Sequence, residues 1–356
     1  MYPLALVMIV RNESRCLARC LDSARPWVDE LCVLDTGSTD DTVAIAQAAG
    51  ARVATFAWED DFAAARNRAL ALSAAPWRLV LDADEWIAGG AECLAALRDT
   101  APGFVGLVPV DSEIDDGRGG RLLAPSWLPR LLPAGVGYAG RIHEQPVWSG
   151  PRRRLPLRIG HDGYLPQQHA AKRGRNRRLL VQALAEAPGD AYLQYQLGKD
   201  HEVDGDVAGA APHYAAAARG VAAGAAWRHD LVLRWMVTLK RLGRHAEALA
   251  LAADEQPHWA ESPDFHFVLG DLLLDAALAD PARALERLPM IEAAWLRAIE
   301  IGERPLLPDS VQGRGSYLAA HNLAAFHESL GQAAAAATWR ERAAAWRAAA
   351  GIPPAR

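Results

Sequence analysis

The chain has 356 residues, of which 51% are hydrophobic and 23% are charged, and these values are typical of a soluble globular protein. The length exceeds what one compact core usually accommodates, so we expect roughly two domains. The formal net charge of -5 argues against nonspecific nucleic-acid binding as the main task, and we expect no nucleic-acid partner.

The first ten residues are apolar, but they lack the basic flank and small-residue cleavage site of a signal peptide. No apolar stretch reaches the roughly 20 residues that are needed to span a bilayer. The four cysteines all precede residue 94 and are interpreted as small buried side chains in a reducing compartment. We therefore expect a soluble, cytoplasmic protein without a transmembrane segment.

Strand and helix signals alternate along the first third of the chain. The predicted strands are residues 4–10, 31–34, 52–56 and 79–81. The first predicted helix covers residues 14–24. The second begins at a cap from Ser38 or Thr39 and ends at Gly50, and the third runs from Asp60 or Asp61 to Ser73. This alternation predicts a mainly parallel sheet with helices on both faces, which binds ligands at the carboxyl ends of its strands.

The pattern changes twice after residue 100. Gly, Pro and short strand-like runs (104–110 and 155–159) predict a less regular part that completes the sheet. After about residue 170, helical periodicity with Leu-Gly pairs at 197–198, 242–243, 269–270 and 330–331 resembles degenerate tetratricopeptide repeats. The alternative is an unrelated Ala-rich helical bundle. We place an α/β domain at residues 1–168 and an all-α repeat domain at 169–356.

Three polar turns follow predicted strands, and the carboxyl ends of parallel strands meet at one edge of a sheet. The turns are Val10-Arg11-Asn12-Glu13, Leu34-Asp35-Thr36-Gly37-Ser38-Thr39-Asp40 and Leu81-Asp82-Ala83-Asp84-Glu85-Trp86. Carboxylates at i and i+2, as at Asp82 and Asp84, suit a Mg²⁺ or Mn²⁺ ion that neutralises a departing diphosphate. A solvated turn is the alternative for this pair, and a simple strand-to-helix turn is the alternative for Asp35 and Thr36.

Four stretches within residues 6–86 resemble the inverting family 2 glycosyltransferases of the GT-A fold. The stretches are VMIVRNES, CLDSARPWVDELCVLDTGSTDDT, FAAARNRAL and LVLDADEW. Two later segments, 140–145 and 161–164, resemble the closing segments of a bacterial subgroup that carries a repeat domain. That subgroup is similar to peptide S-glycosyltransferases of glycosylated bacteriocins and, in its first domain, to lipopolysaccharide core glycosyltransferases.

The resemblance implies roles for individual residues. A nucleotide site would comprise Val10, Arg11, Asn12, Glu13, Asp35, Thr36, Arg66, Asn67, Asp82 and Ala83. Asp84 would be the main ligand of Mg²⁺ or Mn²⁺, with Asp82 and His161 as further ligands. Thr36 stands where many relatives have a second aspartate, and Arg66 and Asn67 could equally lie on a solvated helix face. A structural role is the alternative for His161.

An inverting transfer needs one general base to take the proton of the acceptor. Glu144 is our candidate and His143 is the second, although a structural hydrogen-bonded pair is the alternative. The predicted reaction moves a hexose from a nucleotide sugar, with a UDP-sugar favoured, to a peptide, protein or saccharide acceptor. The repeat domain would bind that acceptor or form a homodimer.

Two other functions fit parts of the sequence. A non-catalytic repeat scaffold with a degenerate nucleotide-binding domain is the main alternative, although Asp82, Asp84 and Glu144 are all present. A nucleotidyltransferase shares the sheet and the carboxylates, but it usually has a Gly-rich basic loop that residues 10–13 do not supply.

Overall fold

The computed structural model describes residues 1–115, 121–162, 166–307 and 310–352. The chain divides into two compact units, Met1–Pro188 and Gly189–Arg356. This division comes later than the predicted domain boundary at residue 168, because the intervening helix pairs with the first unit through Arg178–Asp60 and Glu186–Arg141.

The first unit is an α/β domain. Its strands are β1 Leu4–Val10, β2 Glu30–Asp35, β3 Arg52–Thr55, β4 Trp77–Val80, β5 Glu85–Gly89, β6 Val105–Asp115, β7 Arg121–Pro133, β8 Tyr138–Ala139, β9 Gln145–Pro146, β10 Arg152–Arg154 and β11 Arg158–His161. Its helices are α1 Leu17–Ala24, α2 Thr42–Ala48, α3 Phe62–Leu70, α4 Glu92–Leu97 and α5 Pro166–Glu186, with a short 3-10 helix at Arg25–Trp27.

The main sheet has the strand order β3-β2-β1-β4-β7-β6-β11-β5, and β10 pairs with β6. Strands β1 to β4 pair in parallel, as do β6 with β10 and β11. Strand β7 is antiparallel to both β4 and β6, and β5 is antiparallel to β11. The mainly parallel sheet that the sequence predicted is therefore confirmed.

Strand β1 shows why the sheet is covered on both faces. Alternate side chains of a strand point to opposite faces. Leu4, Leu6, Met8 and Val10 enter the core that contains α1, α2 and α4, whereas the residues between them enter the core beneath α3. Burial on both faces requires an almost entirely apolar strand, which is what this segment provides.

Two predicted helix starts were wrong. Helix α1 begins at Leu17 rather than Ser14, whose backbone N–H donates to Asp40 Oδ2 over 3.2 Å. Helix α2 begins at Thr42, and Ser38 and Thr39 do not cap it because they bond to Asn12 of the neighbouring turn.

Two other helix limits were predicted more closely. Asp61 caps α3 by accepting from the N–H of Ala64, as predicted, and the helix ends at Leu70 rather than Ser73. Gly50, with φ of 74°, follows the end of α2.

The second unit consists of antiparallel helix pairs of the tetratricopeptide type. Its helices are α6 Ala191–Val203, α7 Val207–Gly220, α8 Arg228–Arg241, α9 His245–Glu255, α10 Pro263–Ala279, α11 Ala284–Ile301, α12 Tyr317–Ser329 and α13 Ala333–Ala349, with a 3-10 helix at Pro281–Arg283. Gly198 of α6 lies against the ring of Tyr214 on α7. The all-α repeat unit was predicted and is confirmed.

Gly270 of α10 allows the same close packing against Trp295 of α11. A Cβ atom on Gly270 would clash with Nε1 of the Trp295 ring. We expect Gly270→Ala to destabilise the repeat unit by about 2 kcal/mol, because overpacking outweighs the gain in helix propensity. The melting temperature from calorimetry checks this. Gly174→Ala in α5, where a Cβ would meet nothing within 4 Å, is the matched control and should leave the melting temperature unchanged or raise it.

Asp230 of α8 is a buried carboxylate that accepts from Tyr195 Oη and, over 2.6 Å, from Arg234 Nε. Burial alone would raise the pKa of Asp230, but Arg234 and Lys199 lower it further than burial raises it. The stability that this carboxylate contributes is therefore present above its ordinary pKa and is lost as pH falls through its lower folded pKa.

We expect Asp230→Asn to cost about 2 kcal/mol at neutral pH. The difference from wild type should shrink as pH falls through the lowered folded pKa of Asp230, where the wild-type carboxyl becomes protonated. Thermal melts over a pH series measure this difference. An equal loss at neutral and acid pH would show that the charge of Asp230 contributes nothing.

Candidate active site

The three polar turns lie at one edge of the sheet, as the sequence predicted. Strand β1 pairs in parallel with β2 on one side and with β4 on the other. Val10 lies opposite Asp35 in this register, and Val10 O accepts from Thr36 N over 2.9 Å. The turn that carries Asp82 and Asp84 follows β4.

The first two turns are joined by hydrogen bonds around Asn12, whose φ of 55° is left-handed. Asn12 N donates to Ser38 Oγ over 2.9 Å, and Asn12 Oδ1 accepts from Thr39 N over 2.7 Å. Glu13 N donates to Thr42 Oγ1 over 2.7 Å. These bonds fix the backbone of residues 12 and 13, while the side chain of Arg11 is exposed.

Asp35 and Thr36 are buried, and their side chains bond to the backbone of their own turn and of β1. Asp35 Oδ2 accepts from Gly37 N and Ser38 N, each over 3.1 Å. Thr36 Oγ1 donates to Val10 O over 3.0 Å. Both side chains thus have backbone partners that hold the turn against β1, and their role at a nucleoside stays a prediction.

Asp82 lies between two guanidinium groups from different elements. Its Oδ1 accepts from Arg66 Nη2 of α3 over 2.7 Å, and its Oδ2 accepts from Arg130 Nη2 of β7 over 2.9 Å. Burial would raise the pKa of Asp82, but the two arginines hold it well below its usual range. Because 35% of the side chain is exposed, this ionised carboxylate is also accessible from solvent.

Arg66 joins the Asp82 turn to Glu144. Its Nε donates to Glu144 Oε1, and both side chains are about nine-tenths buried, with exposures of 8% and 10%. Arg66 Nη1 is buried and has no hydrogen-bond partner among the described residues. The guanidinium therefore acts between protein carboxylates, rather than lying on the solvated helix face that was the alternative. His143, next to Glu144, has a left-handed φ of 52°.

Asp84 faces His161, and the two side-chain atoms Oδ2 and Nε2 are 3.6 Å apart. The antiparallel register of β5 and β11 sets this approach, because it pairs Glu85 with His161. Burial lowers the pKa of His161, but the carboxylates around it, Asp84 foremost, raise it above its ordinary value. Ala83, between the two aspartates, is buried.

Asp162 extends this cluster to α1. Its carboxylate accepts from Arg15 over 3.0 Å and from Arg19 over 2.8 Å, and its N–H donates to Asp84 O. Arg19 also lies over the ring of Trp86, 3.8 Å from the centroid. The half-exposed arginines place positive charge beside the Asp84 turn. Gly163 and Tyr164, which end the predicted motif, lie outside the described residues.

Asn67 has a structural position. Its Nδ2 donates to Tyr138 O over 2.9 Å, and its Oδ1 accepts from Tyr138 N over 2.7 Å. Asn67 thereby fixes β8, which leads into the Glu144 loop, and its predicted role at the nucleotide remains untested.

The sequence reasoning gave no role to three residues of the cluster, Glu85, Arg130 and Asp162, although Glu85 and Asp162 lie inside motifs that it singled out. A signal existed for Arg130, because an arginine inside the apolar run 127–133 must pair with a buried carboxylate. Within the described ranges, no three His, Cys, Asp or Glu side chains converge on one potential metal position.

Comparison with known proteins agrees with the geometry. Residues 5–138 match the model of glycosyl transferase family 2. A TPR repeat-containing protein of Synechococcus elongatus is 37% identical over 227 residues, covering 58% of this chain and 54% of that protein. The glycosyltransferase SunS from the SPbeta prophage of Bacillus subtilis is 28% identical over 210 residues, covering 56% of this chain and 49% of SunS. The chain thus spans about half the length of these relatives.

Among solved structures, glucosyl-3-phosphoglycerate synthase from Mycobacterium tuberculosis, in complex with Mn²⁺, UDP and glucosyl-3-phosphoglycerate, is 29% identical. The match covers 33% of this chain and 46% of that chain, with a TM-score of 0.27.

The sheet and its carboxylate turns define an α/β domain of the GT-A glycosyltransferase type. More particularly, residues 5–138 match the model of glycosyl transferase family 2, and a tetratricopeptide-like helical unit follows this domain. No helix in the described part of the chain is both long and apolar enough to cross a membrane.

Proposed function

We propose that this protein is an inverting glycosyltransferase that moves a hexose from a nucleotide sugar, with a UDP-sugar favoured, to a peptide, protein or saccharide acceptor. The observation that carries the proposal is the Arg66 bridge. One guanidinium bonds both Asp82, in the turn after β4, and Glu144, which is 78 residues further along the chain than Arg66. A candidate donor-side carboxylate and a candidate base thus share one cluster in the first unit, whose residues 5–138 match the family 2 model.

A divalent cation fits the residues on the donor side. Asp84 supplies a carboxylate oxygen, which both Mn²⁺ and Mg²⁺ accept when phosphate and water complete the shell. His161 supplies an imidazole nitrogen, which suits a transition-metal ion such as Mn²⁺ better than Mg²⁺. When bound, the cation would neutralise charge on the departing diphosphate. The protein would hold that cation mainly through Asp84, with His161 and Asp82 close by.

Glu144 would act on the acceptor side. It would take the proton of the acceptor as the acceptor atom bonds to the anomeric carbon. The bond from that carbon to the diphosphate oxygen breaks with its electron pair leaving on the diphosphate, so the configuration inverts. The hydrogen bond from Arg66 to the carboxylate of Glu144 would keep this base in place during the transfer.

The helical unit would contribute the acceptor surface or a homodimer contact, because stacked helix pairs form extended concave surfaces. Nucleotide sugars are made inside cells, and a cytoplasmic location belongs to this proposal.

The test incubates the purified full chain with a panel of nucleotide sugars and Mn²⁺ or Mg²⁺, and then measures release of the nucleoside diphosphate. We expect release with one donor class and its loss on chelation of the cation. Mass spectrometry of peptide and saccharide acceptors would then identify the added sugar. A folded protein that releases no nucleoside diphosphate from any donor, with or without acceptors, would overturn the proposal.

A further inference from the structure

The turn that carries Asp84 is closed by two reciprocal hydrogen bonds. Asp82 N donates to Glu85 Oε2 over 3.0 Å, and Glu85 N donates to Asp82 O, also over 3.0 Å. The first of these bonds depends on the Glu85 side chain, which is only 2% exposed. A carboxylate buried this deeply needs a cationic hydrogen-bond partner.

Arg130 is that partner, and it also bonds Asp82. Its Nη2 donates to Glu85 Oε1 and, over 2.9 Å, to Asp82 Oδ2. A single nitrogen from β7 thus links the side chains at both ends of the turn. Since Arg66 holds the other oxygen of Asp82, neither end of the turn can rotate without breaking a charged hydrogen bond.

We propose that Arg130 and Glu85 are positioning residues that fix the turn from Asp82 to Glu85 in the conformation that presents Asp84, before a donor or a cation binds. The fixed turn itself depends on no ligand. A metal ligand that is already held in place loses less entropy when it binds the cation, so the fixed turn should strengthen cation binding by Asp84. This expected gain in affinity rests on the proposed function.

The first experiment measures hydrogen exchange of the amides of Asp82 and Glu85 in the ligand-free full chain. Both amides donate within the turn. We expect Arg130→Met to accelerate their exchange at least about tenfold. Glu85→Gln should accelerate it less, because its single oxygen can still accept from Asp82 N although its NH2 group cannot accept from Arg130. Unchanged exchange in folded Arg130→Met would overturn the proposal.

The second experiment separates positioning from simple charge neutralisation. Arg130→Met alone leaves Glu85 and Asp82 with less compensating charge, so its melting temperature should fall. Adding Glu85→Gln removes the buried charge and should restore the melting temperature. If Arg130 positions Asp82, the double variant should still bind Mn²⁺ with UDP about 10–100-fold more weakly than wild type. Arg130→Lys keeps the charge and should recover part of that affinity.

The two outcomes differ clearly. A double variant that regains both the wild-type melting temperature and the wild-type Mn²⁺–UDP affinity would show that Arg130 only neutralises Glu85, and the proposal would fail. A wild-type protein that binds neither UDP nor Mn²⁺ would instead overturn the proposed function. In that case hydrogen exchange in the ligand-free protein still decides whether Arg130 and Glu85 fix the turn.

Discussion

Alanine at Asp84 is expected to lower kcat/KM for the nucleotide-sugar donor at least about 1000-fold. Asp84 lies in the turn after β4, where its carboxylate faces His161, and it is our main candidate ligand for the cation. Without it the diphosphate would leave with its charge poorly compensated, and several kcal/mol of transition-state stabilisation would be lost. Nucleoside diphosphate release over a Mn²⁺ series measures the effect.

Raising the Mn²⁺ concentration should recover part of the activity of Asp84→Ala if the defect is weak binding of the cation. Asp22→Asn is the matched control, because Asp22 is a 71% exposed aspartate of the same domain that pairs with Arg25 at the surface. It should keep wild-type kinetics. Retention of more than about a tenth of wild-type activity by Asp84→Ala would exclude Asp84 as the main metal ligand.

Much of the first unit was predictable because local patterns determine its elements. An unbroken apolar run gives a strand that is buried on both faces, as in β1, and polar residues directly after such a run must lie at the edge of the sheet. The three turns could therefore be placed together before any contact was known. In the second unit, Leu-Gly pairs predicted the repeats, and in one of them Gly198 packs against the ring of Tyr214.

The contacts inside the site were not predictable in the same way. Arg130 is 48 residues from Asp82 along the chain. An arginine inside an apolar run predicts a carboxylate partner, but the sequence does not identify which carboxylate it is. Local rules also failed where a side chain had two possible partners. Ser38 has the residue type of a helix cap, yet its hydroxyl accepts from Asn12 N of another turn. A tertiary bond there replaces the local one, and the helix starts later.

Glutamine at Glu144 is expected to lower kcat about 1000-fold while the affinity for UDP with Mn²⁺ changes by less than about threefold. Glutamine has the size of glutamate and its oxygen can still accept from Arg66 Nε, so the loop should keep its place. What it cannot do is take a proton from the acceptor. The loss should therefore fall on kcat for transfer, which product quantification by mass spectrometry measures.

His143→Ala is the matched control within the same loop and decides between the two candidate bases. If Glu144 is the base, His143→Ala should lower kcat less than about tenfold, because the substitution would affect only the left-handed backbone at residue 143. The reverse ranking would assign the base to His143 and leave Glu144 as the structural partner of Arg66. Equal, small losses in both variants would mean that the proton leaves by another route. In that case Asp82 and Glu144 would not act in the same reaction, and the hydrogen bonds from Arg66 to both would only hold the Glu144 loop against the sheet.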